Sequence, residues 1–265
     1  MTQQTLTAAP TVQLAAGTHM PLIGFGTHPL RGAEATEAVL HALQTGYRSV
    51  DTATRYQNQD AVGEALRRTD VPREEVFATT KLPPDSVGYE FQTLHASLKA
   101  LGTDYVDLWL MHWPPGGSAG VSAWKQLVRA REKGLVRAIG VSNYQLRLLD
   151  QLHAETGVYP EVAQLQWSPV HFSARYLSGC AERGVVVGAH SPFRSARLDD
   201  PSLAAIAQAH GASVTQVIVR WNVQHGVAVV PKSAHQDRMA TNLDVMWFEL
   251  SETEMKTIDD LSELE

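Results

Sequence analysis

Hydrophobic residues fall into eight short runs that recur along almost the whole chain. The inner runs are apolar nearly throughout, which is typical of parallel strands that are covered on both faces. The ends of successive runs lie 25, 30, 31, 30, 24, 24 and 41 residues apart, and each interval has room for one strand, one crossover helix and two short loops. The predicted strands are residues 21–26, 48–51, 75–81, 105–112, 136–142, 162–166, 185–190 and 226–231.

Helical patterns with clear ends lie between these runs. Residues 91–101 carry apolar side chains at helical spacing, and Gly102 follows as a stop signal. Asp200 and Pro201 supply an N-cap and a first-turn proline for a later helix, which Gly211 ends. Strands that alternate with helices predict a parallel sheet, and eight such repeats in about 250 residues predict an α/β fold that closes as a (β/α)8 TIM barrel.

Additional elements are expected at both ends of this barrel. Residues 11–14 and 20–23, joined by residues 15–19, predict a β-hairpin that precedes the first barrel strand and would plug the bottom of the barrel. Extra helices are predicted near the C-terminus, over residues 234–241 and 252–261. No Pro/Ser linker, charge block or shift in composition divides the sequence, so residues 1–265 are predicted to form a single (β/α)8 barrel domain.

The competing architecture is an open, doubly wound parallel sheet. Its dinucleotide-binding fingerprint is G-x-G-x-x-G, placed directly before a helix. Residues 24–29 read GFGTHP, which lacks the third glycine, and no helix begins at once. The closed barrel is therefore the favoured fold.

Composition narrows the class of protein. Hydrophobic residues make up 44% of the 265 positions and charged residues 19%, which is enough apolar material for a core. The formal net charge of −6 argues against nucleic acid or an anionic membrane as the main partner. A single cysteine, Cys180, excludes an intramolecular disulfide and a cysteine-cluster metal site. No run approaches the roughly 18 apolar residues of a membrane helix, and the N-terminus lacks a signal-peptide pattern, so a cytoplasmic protein is expected.

Polar residues stand at the ends of the predicted strands, where a barrel of this kind carries its active site. A buried polar side chain without a hydrogen-bond partner costs free energy, so such residues are expected where they serve a site. They are Thr27, His28, Asp51, Lys81, His112, Ser142, Asn143, Gln164, Gln166, His190, Lys232 and Ser233.

Asp51, Lys81 and His112, together with the nearby Tyr56, are a coherent catalytic set. A phenol titrates near pH ~10 in water, so it is a poor acid at neutral pH unless a cation favours its anion. Lys81, held by Asp51, would supply that cation, and His112 would hydrogen-bond a carbonyl. An Asp–Lys pair alone would equally well be a structural salt bridge, and the tyrosine is what favours a proton donor aimed at a carbonyl oxygen.

Several segments resemble the signatures of the aldo-keto reductase family. Residues 46–58 read GYRSVDTATRYQN, residues 111–114 read MHWP, and residues 140–143 read GVSN. Residues 230–233 read VPKS and are followed by Arg238 and Asn242. These segments occur in the family's order over essentially the whole chain. Within the family, the chain is most similar to the bacterial branch related to 2,5-diketo-D-gluconate reductases.

The resemblance implies NADPH-dependent reduction of aldehydes or ketones to alcohols. Tyr56 would be the general acid and Lys81 would lower its pKa. Asp51 would hold Lys81, and His112 would orient the carbonyl. The hydride would come from the nicotinamide, because that chemistry belongs to the cofactor while the protein supplies position and electrostatics.

The resemblance also implies where the cofactor lies. Ser142, Asn143 and Gln164 would grip the nicotinamide carboxamide, whose donors and acceptors suit these side chains. Lys232 and Arg238 would meet the adenosine 2′-phosphate, which favours NADP over NAD, with NADH as a weaker possibility. The other cofactor contacts expected are Gly26, Thr27, His190, Ser191, Phe193, Ser233 and Asn242. His190 stands where the family usually stacks an aromatic ring on the nicotinamide, so cofactor affinity is expected to be lower.

The substrate pocket is expected to involve His28, Trp113 and Arg55, and the partner to be a small carbonyl compound. Arg55 would attract an acidic substrate, but it also fits a solvated loop arginine. A monomer is the family expectation, with no metal ion.

Two other functions remain open from the sequence. The first is an NADP(H)-binding regulatory barrel with little turnover. The second is a metal-dependent barrel hydrolase, because His28, His112 and His190 with Asp51 all lie at predicted strand ends and would suit zinc. The hydrolase is disfavoured by the lack of a His-x-His pair and by Lys81 next to Asp51, which would oppose a cation.

Overall fold

A short antiparallel hairpin precedes the main sheet, as the sequence predicts. The computed structural model describes residues 9–263, and its first elements are β1 (Thr11–Gln13) and β2 (His19–Pro21), which pair with each other. In the turn between them, the amide of Ala16 donates a 2.8 Å hydrogen bond to Oε2 of Glu161, directly before a barrel strand. Because Glu161 lies at the N-terminal end of that strand, the hairpin covers the bottom of the barrel.

Eight parallel strands follow, and each pairs with its neighbours in chain order. All eight were predicted from the sequence, but the first begins four residues later than predicted, and the others differ from their predicted bounds by at most two residues at either end. Residue Pro21 belongs to the hairpin instead. The strands are β3 (Phe25–Gly26), β4 (Ser49–Asp51), β5 (Phe77–Leu82), β6 (Val106–Met111), β7 (Val136–Ser142), β8 (Val162–Gln166), β9 (Val186–His190) and β10 (Ala228–Val230).

The first and last strands meet and close the sheet into a barrel. A parallel bridge joins Ile23 to Val229, and the Gly24 amide donates a 2.9 Å hydrogen bond to the Val229 carbonyl. The seam is tight, since a Cβ atom on Gly26 would lie 2.8 Å from the carbonyl oxygen of Val230. The closed (β/α)8 barrel predicted from the repeat length is thereby confirmed.

Helices cover the outside of the barrel and follow the strands. Ten α-helices lie in the part of the chain between residues 9 and 263. They are α1 (Gly32–Thr45), α2 (Gln59–Arg68), α3 (Glu90–Leu101), α4 (Ala119–Glu132), α5 (Leu146–Thr156), α6 (Ala174–Ala181), α7 (Pro201–His210), α8 (Val214–Gln224), α9 (Gln236–Leu243) and α10 (Glu252–Asp259).

The helix ends follow the local signals in the sequence. The Asp200 side chain accepts hydrogen bonds from the first amides of α7, and Gly211 ends that helix in the left-handed conformation. The helix predicted over 234–241 begins two residues later, at Gln236. The reason is local: the Ser233 hydroxyl accepts a 3.0 Å hydrogen bond from the His235 amide and forms a turn ahead of the helix.

The core is apolar and continuous between barrel and helices. Its largest fully buried side chains include Trp109, Trp124, Trp167 and Trp221. No helix within residues 9–263 combines the length and the apolar character needed to cross a membrane. A group of buried polar side chains, including Thr27, Asp51, Lys81, His112, Ser142 and Gln164, lies at the C-terminal ends of the strands.

Candidate active site

A cavity of about 220 Å³ opens at the C-terminal ends of the barrel strands. Most of the polar residues predicted from the strand ends contribute to its wall, although they come from seven different strands or the loops after them. The cavity is lined by Gly26, Thr27, His28, Asp51, Tyr56, His112, Trp113, Ser142, Asn143, Gln164, His190, Ser191, Arg194, Val230 and Lys232. A larger groove, of about 760 Å³ between Phe172 and Ser262, shares none of these residues and lies outside the barrel.

A buried ion pair lies at the floor of this cavity. Lys81 on β5 and Asp51 on β4 form a salt bridge, and both side chains are almost fully buried. The Lys81 ammonium also donates a 3.1 Å hydrogen bond to the carbonyl of Thr52 and lies 3.3 Å from the hydroxyl of Tyr56. The predicted trio of Asp51, Lys81 and Tyr56 is thus brought together in one hydrogen-bonded chain.

The loop after β4 carries Tyr56 to this position. Residues Thr54–Tyr56 form a 3-10 turn, and the Thr54 hydroxyl donates a 3.0 Å hydrogen bond to the Lys81 carbonyl. The buried amide of Asn58 donates to the carbonyls of Thr27 and Leu30. Neighbouring strand ends therefore fix the loop and limit where the Tyr56 ring can lie.

The pKa of Tyr56 is raised overall, although the Lys81 charge acts to lower it as the sequence predicts. Burial raises the pKa of Tyr56 above its ordinary value, the Lys81 charge opposes that rise, and the Asp51 charge adds to it. For Lys81, burial lowers the pKa, but the Asp51 charge and Tyr56 outweigh burial and leave it raised. The ion pair therefore keeps Lys81 charged, and the phenol of Tyr56 stays protonated in this environment.

His112 is a neutral imidazole beside Tyr56. The two ring centres are 5.7 Å apart in an edge-on arrangement. Burial, followed by the Lys81 charge, lowers the pKa of His112 to about 4. Its Nδ1 atom is buried and has no hydrogen-bond partner among the residues that the structure describes. A neutral imidazole in this position can donate one hydrogen bond without carrying a charge.

Amide side chains line the opposite wall of the cavity. The Asn143 amide nitrogen donates 3.0 Å hydrogen bonds to the carbonyl of His112 and to the hydroxyl of Ser142, while its oxygen lies 3.3 Å from Nε2 of His190. Gln164 donates a 2.8 Å hydrogen bond to Asp51. Its oxygen, Oε1, is buried without a partner within residues 9–263.

This wall fits a nicotinamide carboxamide. An unpaired buried acceptor costs free energy unless a donor reaches it, and a carboxamide nitrogen is such a donor. Asn143 and Ser191, which follow β7 and β9, both have positive φ angles (64° and 54°). Left-handed backbone at non-glycine residues is costly and is concentrated at functional sites.

Two cationic side chains line the cavity, and a third lies on α9. Lys232 follows β10, is exposed and lines the cavity, and Arg194 lines it from the loop after β9. Arg238 is exposed on α9, where Asn242 is buried. This arrangement fits a phosphate group near the last barrel strand, where barrels of this type bind phosphate.

Some predicted site residues do not line the cavity. Arg55 is exposed and pairs with Asp85 at 2.8 Å, which holds it away from the cavity wall. Phe193, Ser233, Arg238 and Asn242 lie beyond the lining, and Lys81 lies beneath it. Sequence reasoning missed the lining residue Val230 and the carbonyl of Thr52, and a backbone carbonyl gives no sequence signal.

The metal-site alternative has no supporting ligand geometry in the described part of the chain. Within residues 9–263, no three His, Cys, Asp or Glu side chains are arranged to hold a metal ion. His28, His112 and His190 line one cavity, but they do not converge on a common point.

Comparison with known proteins identifies the family of this chain. The model of the aldo/keto reductase family matches residues 22–263. The chain belongs to this family. It is 42% identical over 260 residues to an aldo-keto reductase of Mycolicibacterium vanbaalenii, which covers 97% of this chain and 93% of that protein. It is 40% identical over 256 residues to a glyoxal reductase of Bacillus subtilis, with 95% and 92% covered.

A solved relative carries the cofactor. The crystal structure of a Bombyx mori aldo-keto reductase in complex with NADP matches this fold with a TM-score of 0.91, at 32% identity and with 97% and 94% of the two chains covered. The family predicted from the sequence is confirmed, and with it an oxidoreductase of the NADP-dependent class. The narrower resemblance to 2,5-diketo-D-gluconate reductases stays a prediction.

Proposed function

We propose that this aldo/keto reductase reduces small aldehydes and ketones with NADPH, and that Tyr56 donates the proton. The observation that carries the proposal is the chain from Asp51 through Lys81 to Tyr56, which ends at a hydroxyl in the cavity. When bound, NADPH supplies a hydride to the carbonyl carbon.

The Tyr56 hydroxyl gives its proton to the carbonyl oxygen and becomes a phenolate. The Lys81 ammonium lies 3.3 Å from the Tyr56 hydroxyl oxygen and stabilises the negative charge that develops on the phenolate. Asp51 keeps Lys81 charged and oriented, since the two form a buried salt bridge. A buried phenol with a raised pKa holds its proton until the carbonyl takes it, and the fixed ammonium lowers the barrier to the transfer.

His112 orients the carbonyl beside Tyr56. With a pKa of about 4 it is neutral at physiological pH, and one ring nitrogen donates a hydrogen bond to the carbonyl oxygen. Two donors, the Tyr56 hydroxyl and the His112 ring, thus meet one oxygen.

Residues on the other wall hold the cofactor. Ser142, Asn143 and Gln164 bind the nicotinamide carboxamide and fix which ring face meets the substrate. The nicotinamide and the pyrophosphate also contact Gly26, Thr27, His190, Ser191 and Phe193. Lys232, Ser233, Arg238 and Asn242 bind the adenosine end, with the two cations on the 2′-phosphate. NADH lacks that phosphate and binds more weakly.

The proposed substrate is a small carbonyl compound. His28 and Trp113 line the cavity, and the His28 ring lies 4.9 Å from the Tyr56 ring. The cavity of about 220 Å³ has room for a nicotinamide ring and a reacting carbonyl group beside Tyr56. One of the relatives, the glyoxal reductase, is named for a short dicarbonyl compound.

Steady-state turnover tests the proposal directly. NADPH oxidation is followed by absorbance with a panel of short aldehydes, ketones and dicarbonyls, and NADH serves as the comparison cofactor. We expect turnover with several short carbonyls and a clear preference for NADPH. Tight NADPH binding without turnover on any of them would instead support the regulatory, nucleotide-binding barrel.

A further inference from the structure

The side chain of Gln164 crosses the mouth of the barrel. It stands on β8, and three strands separate β8 from β4 in either direction around the sheet. Its Nε2 atom nevertheless donates a 2.8 Å hydrogen bond to Oδ2 of Asp51, 113 residues earlier in the chain. The contact therefore links two opposite walls of the barrel.

Asp51 has a separate partner for each oxygen. Oδ1 forms the salt bridge with Lys81, and Oδ2 accepts from Gln164. All three side chains are buried, with exposed fractions of 4% for Asp51, 1% for Lys81 and 2% for Gln164. A carboxylate held at both oxygens cannot rotate away from the ammonium without losing a charge-assisted hydrogen bond in a buried place.

The neighbouring strand leaves space for this crossing. Gly188 on β9 is paired in register with Gln164. A Cβ atom at Gly188 would lie 3.2 Å from both Cβ and Cγ of Gln164, tighter than ordinary packing. A glycine at this position lets the glutamine side chain extend inward.

The carboxylate also fixes which end of the Gln164 amide faces the cofactor. Asp51 only accepts hydrogen bonds, so the nitrogen of Gln164 must face it. The oxygen, Oε1, is left as the buried acceptor described above. Gln164 thus contacts the carboxylate that holds Lys81, and it also presents a hydrogen-bond acceptor on the side of the cavity proposed to bind the nicotinamide.

We propose that Gln164 is a positioning residue for the proton donor: by holding Oδ2 of Asp51, it keeps Oδ1 against Lys81 and Lys81 against Tyr56. This inference rests on the proposed function, because it assigns Gln164 a second role in the same reaction. A residue that only gripped the carboxamide would affect cofactor binding and would leave the proton donor undisturbed.

The substitution Gln164→Glu separates the two roles. A protonated Glu at position 164 still donates a hydrogen bond to Asp51, whereas an ionised one places two carboxylates side by side and breaks the contact. An ionised carboxylate remains a good acceptor for the carboxamide nitrogen. The other titratable groups facing Asp51 are Lys81, Tyr56, His112 and His190. The pKa values of the two histidines are lowered to about 4 and those of Lys81 and Tyr56 are raised, so none of them titrates near neutral pH.

We expect a new fall in kcat with rising pH in Gln164→Glu, by about tenfold or more, as for the loss of one hydrogen bond to a charged group. NADPH affinity, measured by fluorescence, should change much less over the same range. In the cofactor-free protein, the Tm of this variant should also fall with pH relative to the unsubstituted protein, because two buried carboxylates repel each other.

Gln166→Glu is the matched control, since it makes the same change two residues later on β8, where the amide meets His171 at 3.4 Å instead of Asp51. Gln166→Glu should show neither the new fall in kcat with rising pH nor the pH-dependent loss of Tm. If Gln164→Glu does not fold, Gln164→Met, which keeps the length and removes the hydrogen bond, should lower kcat at every pH and more than it weakens NADPH binding.

Two results would overturn the inference while leaving the proposed function intact. One is a Gln164→Glu pH profile parallel to that of an active unsubstituted protein. The other is a Gln164→Met variant whose only defect is weaker NADPH binding. Failure of the proposed function looks different, since the unsubstituted protein would then bind NADPH without reducing any carbonyl.

Discussion

The ammonium of Lys81 lies 3.3 Å from the hydroxyl oxygen of Tyr56 and 4.9 Å from the centre of its ring. The ammonium therefore lies close to both the hydroxyl oxygen and the ring of Tyr56. These are the two places over which the negative charge of a Tyr56 phenolate would spread. Lys81 has no route to solvent, because it is only 1% exposed. Its charge is held in place by the protein, so no reorganisation is needed when a phenolate forms.

Removal of the Tyr56 hydroxyl should abolish most of the carbonyl reduction. In Tyr56→Phe we expect kcat to fall by about 10²–10⁴, the usual contribution of a positioned general acid. NADPH affinity should stay close to its original value, because Ser142, Asn143 and Gln164 are untouched. Single-turnover kinetics and fluorescence titration measure the two quantities. Tyr89→Phe is the control, since Tyr89 is 62% exposed, and undiminished turnover in Tyr56→Phe would remove Tyr56 from the acid role.

Removal of the Lys81 charge should lower the stability of the fold as well as the catalytic activity. Lys81→Met leaves the buried Asp51 carboxylate without its cation, and breaking a buried pair in this way costs about 3–5 kcal/mol of unfolding free energy. Replacing both partners, Lys81→Met with Asp51→Asn, removes the unpaired charge and should recover much of the loss. Urea denaturation of the two variants provides the comparison. A double variant no more stable than Lys81→Met would contradict this account of the pair.

The strand ends could be predicted from the sequence because a parallel strand buried on both faces is apolar until it leaves the barrel. The polar residues at positions 51, 81, 112, 142, 164 and 190 therefore stood out, and all but Lys81 line the cavity. Lys81 lies beneath them and reaches Tyr56 from below. The helix after β10 was also predicted from the local pattern of residues 234–241.

Contacts that depend on the width of the barrel could not be predicted from the sequence. The hydrogen bond between Gln164 and Asp51 spans opposite strands, and sequence spacing does not give that distance. The pKa of Tyr56 depends on how deeply the ring is buried, which opposes the effect of Lys81. The pairing of Arg55 with Asp85 depends on the fold of two loops.

Lys232 should bind the 2′-phosphate at the adenosine end of the cofactor. We expect Lys232→Ala to raise the Kd for NADPH by about tenfold, the equivalent of ~1.4 kcal/mol, because a charge-assisted contact to the 2′-phosphate is lost. NADH affinity should change little, since NADH has no such phosphate. Lys256→Ala is the matched control, because Lys256 on α10 pairs with Asp260 just after that helix, and neither residue lines the cavity. Equal losses for the two cofactors would place the 2′-phosphate elsewhere.

The cavity histidines should make the fold less stable at acidic pH. Burial, followed by the Lys81 charge, lowers the pKa of His190 to about 4, whereas an unfolded histidine titrates near ~6.5. Between these values the unfolded chain binds the proton more readily than the folded protein, so the free energy of unfolding falls as the pH falls. For one such group the difference between pH ~7 and pH ~5 is about 2 kcal/mol.

The substitution His190→Gln isolates this contribution, because glutamine keeps a polar side chain near Asn143 and does not titrate. The unsubstituted protein should lose about 2 kcal/mol more unfolding free energy than His190→Gln when the pH is lowered from ~7 to ~5. Urea denaturation at the two pH values measures the difference, and carboxylates titrate alike in both proteins and cancel. His112 has a pKa lowered to a similar value for the same causes, so His112→Gln should give an effect of similar size. Equal acid sensitivity in all three proteins would mean that these imidazoles become protonated in the folded state at their ordinary pH.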